Sequence, residues 1–235
     1  MNDRKAPTGR GDTPDANSVL PIVIMGTGAN SREVKSIIAA INACNDHATY
    51  DVLGFAAQSM SSKSIGASPV VCDDDSFERF AASRKRLGVV IPIADPAVKK
   101  QVFERIKHIP NLVFPNIIHP NACFKAEGDQ RLGKGCVIEA GVVVAINVNL
   151  ADFVYLNYSC TIGHDTIIGS FSTVNPMAAI SGDVKIGEQC LIGAGAAIKQ
   201  GLQIGKKAVL GLGAFVVKPV PANAVMVCDP AKPMD

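Results

Sequence analysis

Tryptophan is absent from the 235 residues, and aromatic residues together make up only 5%. A core filled by large rings is excluded, so aliphatic and small side chains must pack it. Neither sign of charge dominates: 23 Lys and Arg against 21 Asp and Glu leave a formal +2. No basic block stands out, which removes the electrostatic footprint of a nucleic-acid binder. No apolar run approaches the roughly 18 residues of a membrane span. The opening MNDRKAPTGRGDTPDANS carries no apolar stretch of the secretory kind, so a cytoplasmic protein is expected. The seven cysteines never fall as C-x-x-C, which reads as reduced thiols rather than a metal or disulfide framework. What is present is 48% hydrophobic residues, ample for a folded core.

The chain reads in two grammars after a polar, flexible tail over 1–20. From 21 to 115 the pattern is strand then helix, repeated. PIVIMG (21–26) is a first strand, and Val34, Ile37, Ile38 and Ile41 keep helical spacing behind Ser31, taken as the N-cap. YDVLGF (50–55), LGVVIPI (87–93) and LVFP (112–115) read as further strands, with helices over 76–86 and 95–107. Alternation of this kind predicts a small Rossmann-like parallel sheet suited to a nucleotide or sugar. The turn GTGANS (26–31) would let a phosphate approach backbone N–H groups. It is G-x-G-x-x-S, and GFAAQS (54–59) offers no acid after the second strand, which disfavours NAD.

From Leu132 to Val216 an aliphatic residue recurs at every sixth position, fifteen times without a failure. Chance would give such a run on the order of one time in ten million. Six is neither a helical nor a hairpin period; it is that of hexapeptide repeats in a parallel β-helix. Each hexad makes one short strand and one corner, three hexads close a coil, and fifteen give five coils about 4.8 Å apart. The guide residues point inward, with Cys136, Cys160 and Cys190 as small core filler. Glycine after the guide, as at Gly133, Gly163 and Gly169, is expected to ease a corner with unusual backbone angles. Flat faces with few rings favour packing on copies of the same chain about a threefold axis, hence a homotrimer.

Few groups in the repeats can do acid–base work. His164, in IGHDTIIG (162–169), is the only histidine among the hexads; it falls at a corner, and Asp165 follows it. A carboxylate beside an imidazole fixes one tautomer and raises its basicity. His119, His47 and His108 read as structural, capping or solvent-facing. One histidine in the repeats also removes a three-histidine metal site, so no metal is expected.

A strand–helix domain running through IIHPNA into hexapeptide repeats with a central GHD resembles the NeuD/PglD-type sugar acyltransferases. The sharpest parts are LNYSCTIGHDTIIGSFSTV (156–174), ISGDVKIGEQCLIGAGAAI (180–198) and VCDPAK (227–232). The resemblance implies a left-handed β-helix acyltransferase domain over 116–235. It also implies transfer of acetyl from acetyl-CoA to the amino group of a nucleotide-linked amino sugar. On that likeness His164 is the general base and Asp165 its neighbour, while Asn157 lies near the acceptor. Thr173, Gly182, Gly193, Ala194 and Gly211 contact acetyl-CoA, with the Gly182 N–H on the oxyanion and the groove shared between subunits. Gly26, Thr27, Gly28 and Asn30 hold the nucleotide. Departures from the family pattern are Asn30 and Thr173 where histidines are common, Ala56 and Ala57 where acids are common, and the ending Cys228-Asp229-Pro230-Ala231. The alternatives are an O-acetyltransferase acting on a free sugar or sialic acid, and a noncatalytic trimeric scaffold.

Overall fold

The computed structural model of the chain describes residues 8–9, 18–45, 48–60, 63–125 and 129–228. Its first part is an α/β unit: β1 (Leu20–Met25), α1 (Ala29–Ala43), β2 (Tyr50–Ala57), β3 (Ser64–Ile65), β4 (Ser68–Asp73), α2 (Phe77–Ala82), β5 (Leu87–Val90), α3 (Pro96–Ile106) and β6 (Leu112–Val113). The sheet order is β3-β4-β2-β1-β5-β6. All pairings are parallel except β3 with β4, so the sheet is mixed rather than wholly parallel. The hairpin's first strand, Ser64–Ile65, is too short to show any alternation in the sequence. The cap of α1 also differs from expectation. Gly28 stands at the N-cap with no side-chain bond, while Ser31 is buried in the first turn and donates to the Met25 carbonyl at 3.2 Å. In α3 the expected logic holds: the Asp95 carboxylate accepts from the N–H groups of Ala97 and Val98, and Pro96 opens the helix.

The second part is a left-handed parallel β-helix, a three-sided prism. Its first face carries seven strands from Ile117–Ile118 to Val225–Met226, and its second carries six from Cys123–Phe124 to Phe215–Val216. The third has five from Arg131–Leu132 to Gln203–Ile204, extended at one end by Thr8–Gly9. All fifteen guide residues are buried, none more than 5% exposed, and they form one cluster with Cys136, Cys160 and Cys190. The column is longer than the expected five coils. Eight residues rather than six separate the inward Phe124 from Leu132, and only four separate Val216 from Val220, so the period breaks at both ends while the winding continues.

The corners correct a second expectation. The left-handed residue is three places after each guide from Leu132 to Leu210, not one, so from Gly135 to Gly213 every sixth residue takes positive φ. Most are not glycine, including Phe153, Asp165 and Phe171, so stacking between coils must offset a backbone conformation L-residues avoid. Glycine immediately after the guide serves close approach instead. A Cβ on Gly163 would lie 2.4 Å from the Gly182 nitrogen of the next coil.

The α/β unit covers the first face. Tyr155, Val137 and Ile117 pack with Ile22, Ile38 and Phe55, which joins prism and sheet in one core. At the corner between third and first faces, Phe153 and Phe171 stack with centroids 5.2 Å apart and planes at 3°. Phe103 of α3 and Phe114 pack against Phe153 at 4.6 and 5.3 Å. Several of the few aromatic residues are thus spent on the joint, and the prism interior has almost none.

Candidate active site

The corner between second and third faces holds the imidazole. The strand Thr161–Ile162 ends there, Gly163 turns the chain, and His164 projects outward with about half its side chain exposed. Asp165 follows in the left-handed conformation (φ 59°), which swings its carboxylate alongside the ring. His164 Nδ1 lies 2.7 Å from Asp165 Oδ2. One coil away, eighteen residues earlier, the Asn147 amide donates to Asp165 Oδ1 at 3.0 Å. These two hydrogen bonds, His164 first, hold the Asp165 carboxyl below its ordinary value. An ionised carboxylate can only accept, so Nδ1 carries a hydrogen, and in the neutral ring Nε2 is the nitrogen with the lone pair. Nε2 lies over Gly182 of the next coil, where a built Cβ would be only 2.4 Å away. Asn147, Asp165, His164 and Gly182 therefore form one unit that delivers a basic nitrogen to a half-open corner.

The corner between first and second faces gathers another column at eighteen-residue spacing: Glu139, Asn157, Asn175, Gly193 and Gly211. Asn157 is nearly buried, and its side-chain oxygen accepts from the Tyr158 N–H at 2.8 Å. Glu139 is fully buried and accepts from the Tyr155 hydroxyl at 3.0 Å; desolvation pushes its carboxyl up to about 7. Gly193 lies so close to Gly211 that a Cβ would meet its carbonyl carbon at 2.4 Å, and Ala194 accepts from the Gly213 N–H at 2.8 Å. Within one chain this column and His164 stand at opposite edges of the second face.

Thr173 lies with neither group. It is on the covered first face with no exposed surface, and its hydroxyl accepts from Lys99 Nζ at 3.0 Å. The expected contact with acetyl-CoA has no open side chain to make it, because the α/β unit sits on that face. Lys99, from α3, also donates to the Phe153 and Ser172 carbonyls at 3.1 and 3.3 Å. Burial lowers this ammonium to about 7.

In the α/β unit, Gly26 and Thr27 line a cleft of about 600 Å³ at the C-terminal edge of the sheet. Gly26 has φ +87° and donates to the Ala56 carbonyl at 2.8 Å, so the turn needs glycine there. Gly28 and Asn30 follow on the opening turn of α1. The floor is apolar, with Met25, Ala56 and Ala57, and one side of α3 supplies Val98, Gln101, Val102 and Arg105 as a wall. Asp74, just after β4, pairs with Arg105 through both carboxylate oxygens.

Of the other histidines, His119 Nδ1 accepts from the Asn121 N–H at 3.0 Å, and His108 is exposed, 3.8 Å from Glu78. His47 lies outside the described residues, as do 229–232 of the terminal motif. Among the described residues no group of three or more His, Cys, Asp or Glu could hold a metal ion, and no helix is long and apolar enough to cross a membrane.

The fold is that of a hexapeptide-repeat β-helix, with an oriented imidazole at one corner. Residues 131–145 and 183–218 match the family described as hexapeptide repeat of succinyl-transferase. The acetyltransferase domain of PglB from Neisseria gonorrhoeae FA1090 superposes with a TM-score of 0.79 at 26% identity, over 91% of this chain and 99% of that one. The same domain has been solved in complex with acetyl coenzyme A (TM-score 0.80, 25% identity, 92% and 100% covered). PerB from Caulobacter crescentus, in complex with CoA and GDP-perosamine, gives 0.79 at 24% identity over 92% and 97%, a likeness of fold. No curated protein matches the chain. The resemblance to NeuD/PglD-type sugar acyltransferases is thus borne out over nine-tenths of the chain.

Several members of these sites escaped the sequence reading. Asn147 and Glu139 were findable from one signal, the eighteen-residue offset that sets them beside Asp165 and Asn157. Lys99, Asp74 and Arg105 carry no such signal, since only the packing of α3 brings them to their partners.

Proposed function

We propose that the chain transfers an acetyl group from acetyl-CoA to the amino group of a nucleotide-linked amino sugar. The observation that carries this is the geometry of His164, with Nδ1 committed to Asp165 and Nε2 left as the base. A thioester is already activated, so the protein mainly has to position two substrates and move one proton. The amine attacks the thioester carbonyl as His164 Nε2 takes its proton. A carbon–nitrogen bond forms, the carbon–sulfur bond breaks, and the imidazolium returns the proton to the departing thiolate. The backbone N–H of Gly182 is assigned to the oxyanion. No acyl-enzyme is invoked. Burial raises the Cys136 and Cys160 thiols to about 12, which makes them poor nucleophiles.

In this reading Asn157 faces the acceptor, while Gly193, Ala194 and Gly211 lie along the pantetheine arm. His164 and that small-residue column lie at opposite edges of one face. A cytoplasmic homotrimer is therefore part of the proposal, because a second copy can bring one chain's imidazole to another's column. The cleft at Gly26 and Thr27 takes the nucleotide, with Gly28 and Asn30 at its α1 edge.

The test is thiol release from acetyl-CoA with a panel of nucleotide-linked amino sugars, free amino sugars and sialic acid. Release with nucleotide-linked amines is expected, and His164→Ala should lower it by about 100-fold or more while the oligomer persists. Release only with hydroxyl acceptors would make the chain an O-acetyltransferase. No release and no binding of acetyl-CoA would leave a scaffold.

A further inference from the structure

The cleft of the α/β unit holds two charged side chains, and both stand far from the glycine turn. In the order β3-β4-β2-β1-β5-β6, Gly26 and Thr27 end β1 while Asp74 follows β4, two strands across. Two strand spacings are about 10 Å, roughly the reach of a nucleoside from its phosphates to the far edge of its base. Between these points the floor is Met25, Ala56 and Ala57, and Val98 and Val102 cover it from α3. This is a slot for a flat ring with polar groups at one end. Both charged groups at that end are paired: Arg105 Nη1 and Nη2 donate to the two oxygens of Asp74. The carboxylate neutralises the guanidinium and fixes its plane, which weakens it as a phosphate anchor. The guanidinium has N–H groups beyond the two that Asp74 uses.

Resting on the nucleotide reading above, we propose that Arg105, held by Asp74, reads the base of the nucleotide through a ring carbonyl. Guanidinium donors match the adjacent oxygen and nitrogen acceptors of guanine, or the carbonyl of uracil. The amino groups of adenine and cytosine would present hydrogen where the site requires an acceptor. Gln101, one turn before Arg105 on the same side of α3, extends the polar end. The alanines at 56 and 57 leave the second strand without an acid, so selection falls to α3.

The experiment is calorimetric titration of the full chain with GDP, UDP, ADP and CDP, alongside acetyl-CoA as a fold control. GDP over ADP, or UDP over CDP, should be preferred roughly tenfold or more. Arg105→Ala should erase that preference and leave acetyl-CoA affinity unchanged. Arg105→Lys should restore it only in part, since a lysine cannot hold the fork. Equal weakening of all four nucleotides by Arg105→Ala would make the residue a phosphate contact and overturn the proposal. Equal affinities in the unaltered chain would overturn it too. Absence of nucleotide binding with acetyl transfer to free amines intact would overturn the nucleotide assignment of the cleft as well, whereas absence of transfer to any acceptor would strike the reading of His164.

Discussion

Alanine at position 182 is expected to disable turnover while leaving the prism folded. A Cβ built there lies 2.4 Å from His164 Nε2, 2.5 Å from Cε1 and 2.8 Å from Cδ2, and these are its three nearest neighbours. That is about 1 Å inside ordinary van der Waals contact. Gly182 does not use the left-handed region, so alanine meets no backbone strain. The nearest obstruction is therefore the imidazole, and relief comes from swinging it away, which bends or breaks its bond to Asp165. A misplacement of about 1 Å at a reacting group costs on the order of 100-fold. Turnover by thiol release should fall by about that factor in Gly182→Ala, with the melting temperature and acetyl-CoA binding close to the parent values. In a His164→Ala background the same change should cost less than about twofold, because the clash has lost its partner. Full activity in Gly182→Ala, or an equal loss in both backgrounds, would refute the link between this glycine and the base.

Asp165→Asn should cut kcat by about tenfold or more with little change in KM, since the amide cannot fix the tautomer as the carboxylate does; unaltered kcat would remove Asp165 from the site. Lys99 is held down to about 7, against an ordinary value of 10.5, so the unfolded chain binds more protons between those values. Stability should then rise from pH 7 to 10.5 and be lost as pH falls through 7, by at most about 1.4 kcal/mol per pH unit. Urea titrations of Lys99→Met over pH 7–10 should show a flatter slope, and an unchanged slope counts against the buried ammonium. Glu139 works the other way: raised from 4.5 to about 7, it costs stability as pH climbs through that window. Glu139→Gln should remove the decline, and persistence of the same decline would assign it to other groups.

The prism was legible because each guide residue meets one demand repeatedly, an aliphatic side chain turned into a narrow interior. Its ends were not legible, since the two-residue insertion before Leu132 and the contraction after Val216 shift the register without breaking the coil. The adjacency of His164 and Asp165 was on the page as two letters. Their geometry was not, for it depends on Asn147 from one coil and Gly182 from another. Thr173 shows the limit most clearly. Its place in the repeat says only that it points outward, and whether outward means solvent or the underside of α3 is decided by the other half of the chain. The short hairpin at Ser64–Asp73 and the Asp74–Arg105 pair are of the same kind, fixed by neighbours distant in sequence.

Eighteen residues per coil makes the prism modular in an unequal way. A cassette of eighteen spliced in after Ile186 would lift Gly193 and Gly211 by one storey and return them to the same edge, still above Asn157. A cassette of six would turn everything above it by a third of a revolution, carrying those glycines to the edge where His164 stands. Length variation in such a column is therefore tolerable only in whole storeys.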